Sequence, residues 1–297
     1  MRYRGHPFYW AARPTIYHPA MNAPQVEIIE EGSGADTIVM LHGWPDTHHL
    51  WDPQVAAFKG RYRCVRFTLP GFDISRPIAR AYSLDEVIAA IAAVVDRVSP
   101  GKPVILLVHD WGCFYGYQYL ARHPQRVQRL IGVDIGDAGS RANLAEMGAK
   151  GKLGAVAYQL TLASAWKLRG SVGDAIARRT ARFFRAPAPQ ERIGAQMGYP
   201  YAVQWFKEAG GFGRPKAFAP TCPMLFFYGE RKPFMFHSKA WAQKLAAKPG
   251  NRVVGLPTGH WVMVGRPAEF NAAVLDWLAS PVPAGAAEGA AAAAASP

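Results

Sequence analysis

The sequence predicts an α/β protein: a doubly wound, mostly parallel sheet with helices on both faces and a helical insertion in its second half. Three observations predict it. Short runs that are apolar on both faces end in turn residues, segments with helical apolar spacing separate them, and residues 140–215 break that alternation. A strand apolar on both faces is covered on both, and alternation with helices marks parallel crossovers. Half of the 297 residues are apolar, enough to bury a large core.

The strands come first in "TIVMLHG" (Thr37–Gly43) and "RCVRFTL" (Arg63–Leu69), rich in β-branched and aromatic residues. "SLDEVIAAIAAVVDRV" (Ser83–Val98) is a helix: apolar residues recur at three and four, and Ser83 with Glu86 forms a capping-box pattern. "PVILLVH" (Pro103–His109) and "QRLIGVDI" (Gln128–Ile135) are the next strands, and "PMLFFYG" (Pro223–Gly229) and "RVVGLP" (Arg252–Pro257) complete the set. Between 140 and 215 only helical patterning with Gly and Pro interruptions is present. The expected division is therefore a core in two parts, 25–139 and 216–280, with a helical cap at 140–215. Residues 1–24 form an N-terminal extension, and the Ala/Pro-rich 281–297 is expected to be a disordered tail.

Composition narrows the partners. The formal charge is +13, and 140–215 holds twelve Lys or Arg against four Asp or Glu. Arg178, Arg182 and Arg185 fall at helical spacing, which reads as a solvated basic face. With no zinc knuckle or aromatic RNA-binding signature, nucleic acid is not an expected partner. There is no apolar run of membrane-spanning length and no signal-type apolar segment near Met1, so the expectation is a soluble, cytoplasmic protein without membrane insertion. Cys64, Cys113 and Cys222 are scattered and odd in number, which suits buried reduced thiols rather than disulfides or a metal site. No metal and no cofactor are expected, and nothing in the sequence sets the oligomeric state.

The chemistry centres on "VHDWG" (Val108–Gly112), where a strand passes sharply into a helix. Side chains at the carboxyl ends of parallel strands face the ligand crevice. Asp110 stands at such an end. A small neighbour, Gly112, permits the sharp turn, and the Trp111 N–H is left free at the helix start. The pattern is a nucleophile elbow with aspartate in place of serine.

"LHGWP" (Leu41–Pro45), "VHDWG", "VDIGD" (Val133–Asp137) and "TGHW" (Thr258–Trp261) occur in an order that resembles the α/β-hydrolase superfamily. The Asp-Trp elbow is similar to its epoxide hydrolase and haloalkane dehalogenase branch. The resemblance implies an α/β-hydrolase fold and covalent catalysis on a small apolar or amphipathic substrate. A carboxylate is ionised at neutral pH, so Asp110 needs no base to attack an sp³ carbon. The alkyl-enzyme ester that results is hydrolysed by water that His260 activates. The backbone N–H groups of Trp44 and Trp111 would meet the oxyanion.

The histidine needs an acid. Where many relatives carry an aspartate after the penultimate strand, this chain has "GERK", with Lys232 in the acid position. A cation there disfavours imidazolium. The branch's second location, after the strand that follows the elbow helix, is held by Asp134; Asp137 and Glu230 are the alternatives. His42, His48, His49 and His109 read as structural. Asp73 replaces the second glycine of the family's usual Gly-x-Gly-x-Ser turn.

Leaving-group stabilisation separates two activities. Epoxide hydrolases use two cap tyrosines, for which Tyr158 with Tyr199 or Tyr201 are the candidates. Dehalogenases aim indole or amide N–H groups at the halide: Trp111 matches the first donor, Trp44 stands where many carry asparagine, and Trp166 and Trp205 are further candidates. Epoxide hydrolysis is the favoured expectation and dehalogenation the alternative. The alternative of another class is a non-catalytic member that binds a ligand or partner.

Overall fold

A computed structural model describes residues 15–17 and 23–281. Apart from 15–17, 23, 24 and 281, the expected N-terminal extension and tail lie outside the described residues. Eight strands form one sheet: β1 (Thr15–Tyr17), β2 (Val26–Glu31), β3 (Thr37–Leu41), β4 (Arg63–Phe67), β5 (Val104–His109), β6 (Val127–Val133), β7 (Met224–Gly229) and β8 (Arg252–Leu256). Their spatial order is β1-β2-β4-β3-β5-β6-β7-β8. β3 to β8 run parallel, and they are the six strands read from the sequence. β1 and β2 add an antiparallel edge. The sequence reading missed β2 because "VEIIEE" carries three acids, which break the apolar run.

Alternation along the strands divides the core. Ile38, Met40, Ile105 and Leu107 face one layer, where α1 (Asp52–Phe58) and α9 (Pro267–Ala279) pack. Val39, Leu41, Leu106 and Val108 face the other, against α2 (Leu84–Val98) and α3 (Trp111–Arg122). Each of these side chains is almost fully buried, which stabilises the fold by about 1.5–3 kcal/mol apiece before entropy is charged against it. The capping box of α2 is formed: the Glu86 N–H donates to Ser83 Oγ at 3.3 Å, and the Ser83 N–H donates to Glu86 Oε2 at 2.8 Å.

Between β6 and β7 the described chain has no strand. It forms α4 (Arg141–Leu168), interrupted at Gly148 with φ +67°, α5 (Gly170–Phe183) and α6 (Tyr199–Phe206). Of the expected basic face, Arg178 turns inward and donates to the carbonyls of Ile193 at 2.9 Å and Gln190 at 3.0 Å. After β7 come α7 (Lys239–Ala246) and, beyond β8, α8 (Val262–Gly265). No described helix is long and apolar enough to cross a membrane. All three cysteines are buried and unpaired.

The strand order positions the site. The chain leaves β3 toward β4 on one side and returns to β5 on the other, so the loops after β3 and β5 diverge and open a crevice at their carboxyl ends. Trp44 follows β3 and Asp110 follows β5.

Candidate active site

Asp110 bridges β5 and α3 with φ +52° and ψ −122°, a conformation that L residues rarely adopt. Two glycines make room for it. A Cβ on Gly112 would lie 2.4 Å from the Leu41 carbonyl, and one on Gly43 would lie 2.2 Å from Asp110 Oδ1. Both positions therefore exclude any side chain. The Trp44 N–H donates to Asp110 Oδ1 at 2.7 Å, and the Trp111 N–H is also directed at the carboxylate. Both expected backbone donors thus converge on Asp110.

His260 sits in the loop after β8. Its Nδ1 lies 2.5 Å from Asp134 Oδ2, and its Nε2 lies 3.5 Å from Asp110 Oδ2. The short Nδ1 contact places a proton on that nitrogen and leaves Nε2 facing Asp110. Asp134, at the end of β6 with φ +70°, is fully buried. Its Oδ1 accepts from the Gly229 N–H at 2.9 Å and from the Lys232 ammonium. Lys232, which stands where many relatives carry the acid, therefore pairs with Asp134. Asp137 instead accepts from the Ser238 N–H at 2.6 Å and from Ser140 and Ser238 hydroxyls, and Glu230 is exposed.

The charges are strongly coupled. Burial opposes ionisation of Asp110, but His260 and the surrounding donors outweigh it and hold the carboxyl below its ordinary value. Burial likewise opposes ionisation of Asp134, and Lys232 and His260 overturn it. For His260, burial favours the neutral ring, yet the two carboxylates raise its pKa to about 9. Burial pushes His42 and His109 down to about 3, so both are neutral. His42 Nε2 accepts from the Leu69 N–H at 2.9 Å, and His109 packs its ring 4.4 Å from that of His260. His48 bonds Thr68 and His49 lies beside Asp52, which agrees with structural roles.

A cavity of about 650 Å³ opens over Asp110 and His260, a size suited to a small organic ligand. Trp44, Phe236 and Trp261 wall it from the sheet side, and Tyr158, Phe184 and Tyr201 from the helical side. Burial pushes the Tyr158 and Tyr201 phenols well above their ordinary pKa, so both are protonated donors at neutral pH. Tyr199 is not brought to this cavity; it is fully buried among Phe72, Tyr82 and Trp166. Trp111 lies behind Tyr201, with ring centroids 5.1 Å apart. Trp166 is fully buried, and Trp205 donates to Gln159 at 2.9 Å. Asp73 accepts from the Ser75 N–H and hydroxyl in a local turn and does not line the cavity.

One supporting residue was not singled out from sequence. Asp46, next in line after "LHGWP", is buried and accepts from Trp261 Nε1 at 2.7 Å, which anchors the residue beside His260. Its position directly after the motif was the available signal. Among the described residues, no group of three or more His, Cys, Asp or Glu is arranged to hold a metal ion.

Comparison with known proteins identifies the family and fold. The family model described as alpha/beta hydrolase fold matches residues 36–267. A probable oxidoreductase EphD of Mycobacterium tuberculosis is 36% identical over 102 residues, covering 33% of this chain and 17% of its own length. Epoxide hydrolase 1 of Caenorhabditis elegans is 28% identical over 119 residues, covering 39% of this chain and 29% of its own. The chain thus spans less than a third of the length of either relative. Among solved structures, an epoxide hydrolase of Bacillus megaterium superposes with a TM-score of 0.65 at 19% identity, covering 90% of this chain and all of the other. A haloalkane dehalogenase variant from Bradyrhizobium elkanii superposes at 0.60 and 18%, covering 95% and 99%. With the family model spanning most of the chain, and the elbow, histidine and acid assembled at the strand ends, this protein is a member of the α/β-hydrolase family, with relatives among the epoxide hydrolases and haloalkane dehalogenases.

Proposed function

We propose that this hydrolase of the α/β-hydrolase fold uses Asp110 as a covalent nucleophile and opens epoxides to diols. The observation that carries the reading is the carboxylate at the elbow, flanked by two amide N–H groups and 3.5 Å from His260, with two protonated phenols lining the same cavity. Asp110 Oδ2 attacks an epoxide carbon as the C–O bond breaks, and Tyr158 or Tyr201 protonates the departing oxygen.

Ester formation removes the charge on Asp110. His260 then loses one of the two carboxylates that hold its proton, so its pKa falls and it becomes a base. The proton it releases restores the phenol. Water adds to the Asp110 carbonyl carbon as His260 accepts its proton, and the Trp44 and Trp111 N–H groups hold the oxyanion. Collapse expels the diol, whose oxygen takes the proton back from His260, and the Asp110 carboxylic acid left behind passes its proton to His260, restoring the resting carboxylate and imidazolium. Asp134 orients the ring throughout, and Lys232 and the Gly229 N–H keep Asp134 ionised and fixed. The segment 140–215 acts as a cap that supplies the phenols and excludes water.

Haloalkane dehalogenation is the second reading, favoured by one observation. The Trp44 indole N–H is buried beside Asp110 and has no acceptor among the described residues, so it is available to a leaving halide. A panel of epoxides and bromoalkanes, assayed for diol and for bromide, decides between them. Diol alone is expected. Asp110→Asn is expected to lower turnover on the order of 10⁴-fold or more. Full turnover in that variant would contradict the nucleophile assignment, and bromide release without diol would favour the second reading. Ligand binding without any turnover would favour a non-catalytic role.

A further inference from the structure

Among the described residues, four Lys or Arg side chains and one carboxylate, Asp110, line the cavity. The four are Arg185, Arg231, Lys232 and Arg266. Lys232 is committed to Asp134, with only 6% of its side chain exposed, and Arg266 donates to Glu269 at 3.0 Å. Arg185 and Arg231 have no carboxylate partner among the described residues. They come from opposite sides. Arg185 follows α5 in a left-handed conformation, next to Phe184, which also lines the cavity. The Arg231 main chain is held on the sheet side, where its backbone N–H donates to the Thr258 carbonyl at 2.9 Å, and its side chain is exposed.

We infer that Arg185 and Arg231 form an anion-binding subsite at the mouth of this cavity, which selects electrophiles carrying an anionic group at the end remote from the reacting carbon. This rests on the hydrolase reading above and specifies its substrate. The reacting end is held over Asp110 and His260, and the aromatic walls of Phe184, Phe234 and Phe236 take the apolar middle. The two guanidiniums meet the far end in partly hydrated surroundings. Guanidinium geometry matches a carboxylate or phosphate oxygen pair, and the uncompensated positive field steers an anionic ligand toward the mouth. A neutral ligand of equal length gains the apolar contacts alone.

The test pairs 10,11-epoxyundecanoate with its methyl ester on wild type, Arg185→Gln, Arg231→Gln and the double variant. Neither arginine belongs to the catalytic machinery, so ester turnover is expected to stay unchanged. At low salt, wild type is expected to prefer the acid by about 5- to 20-fold in kcat/KM, mainly through KM, because each exposed ion pair contributes about 2- to 5-fold. The preference is expected to shrink in each single variant, vanish in the double variant, and fade as salt rises. Equal rates for acid and ester in wild type, or a preference that survives in the double variant, would overturn the subsite. Calorimetric binding of undecanoate against undecanol on the same proteins reads the subsite without turnover. Charge-selective binding lost in the double variant, with neither epoxide hydrolysed, would sink the hydrolase reading and leave the subsite standing; binding without charge selectivity would sink the subsite.

Discussion

On the sheet side of the cavity, polar groups are held by the backbone and by each other: Asp110 by the Trp44 N–H, Asp134 by the Gly229 N–H, and His260 by Asp134. On the helical side the rings hold one another. Tyr158 packs edge-on against Phe184 and Tyr201, and among the described residues its hydroxyl meets only the Gln159 amide, at 3.4 Å. Arg185 there is exposed. The difference separates two tasks. On the proposed reading, the groups that exchange protons and bonds are those fixed at strand ends, and the groups that choose the ligand ride on packed side chains.

Breaking the sheet side is expected to have the larger effects. Asp134→Asn leaves His260 without its charged partner and should lower turnover by about 10²- to 10⁴-fold, measured under saturating substrate. It also leaves Lys232 buried beside a neutral amide, so denaturant unfolding should report a loss of about 3–5 kcal/mol. Adding Lys232→Met should restore much of that stability but not the activity. Activity returning with stability would mean that Asp134 serves the fold alone.

On the helical side the expected losses are smaller. Tyr201→Phe and Tyr158→Phe should each slow ester formation by about 10- to 10²-fold, read in single-turnover experiments, since each removes one donor of two. Tyr199→Phe should leave that rate unchanged. A large effect at Tyr199 would relocate the cavity's donor.

The smallest expected effect sharpens the electrostatics. His260 is raised from 6.5 to about 9 in the folded state, so its stabilising contribution is whole below pH 6.5 and is lost as pH rises through about 9. Asp46, pushed up to about 7 by burial, is mostly ionised before that window's upper half. Urea midpoints should therefore fall between pH 7.5 and 9.5, and His260→Gln should flatten that slope. An unchanged slope would place the titration elsewhere.

Much of this was readable in the sequence because it is local. The six parallel strands announce themselves as apolar runs ending in turn residues, and "VHDWG" contains its own turn, its own small residue and its own N–H donor. Other features were not local. Lys232 read as a cation set against an imidazolium, but its partner Asp134 lies ninety-eight residues away in sequence, and only the fold brings them together. Tyr199 and Tyr201 were indistinguishable as "GYPY". Two residues apart on a helix they point to nearly opposite faces, so α6 presents one to the cavity and buries the other. Arg178 and Arg185 shared one predicted basic face, yet loop carbonyls capture the first and the cavity receives the second. β2 was hidden by its acids, which the fold pairs with cations distant in sequence: Glu27 with Arg76, Glu30 with Arg63, and Glu31 with Arg66 and Lys59.

The central claim is that Asp110 becomes alkylated and that His260 frees it. Intact-protein mass spectrometry of His260→Ala, incubated with the epoxide and bromoalkane panel, tests it most directly. The account predicts accumulation of protein heavier by one whole epoxide, with the adduct mapped to Asp110 and absent from Asp110→Asn. Folded His260→Ala that turns over epoxide without any adduct, or that carries the adduct elsewhere, would contradict it.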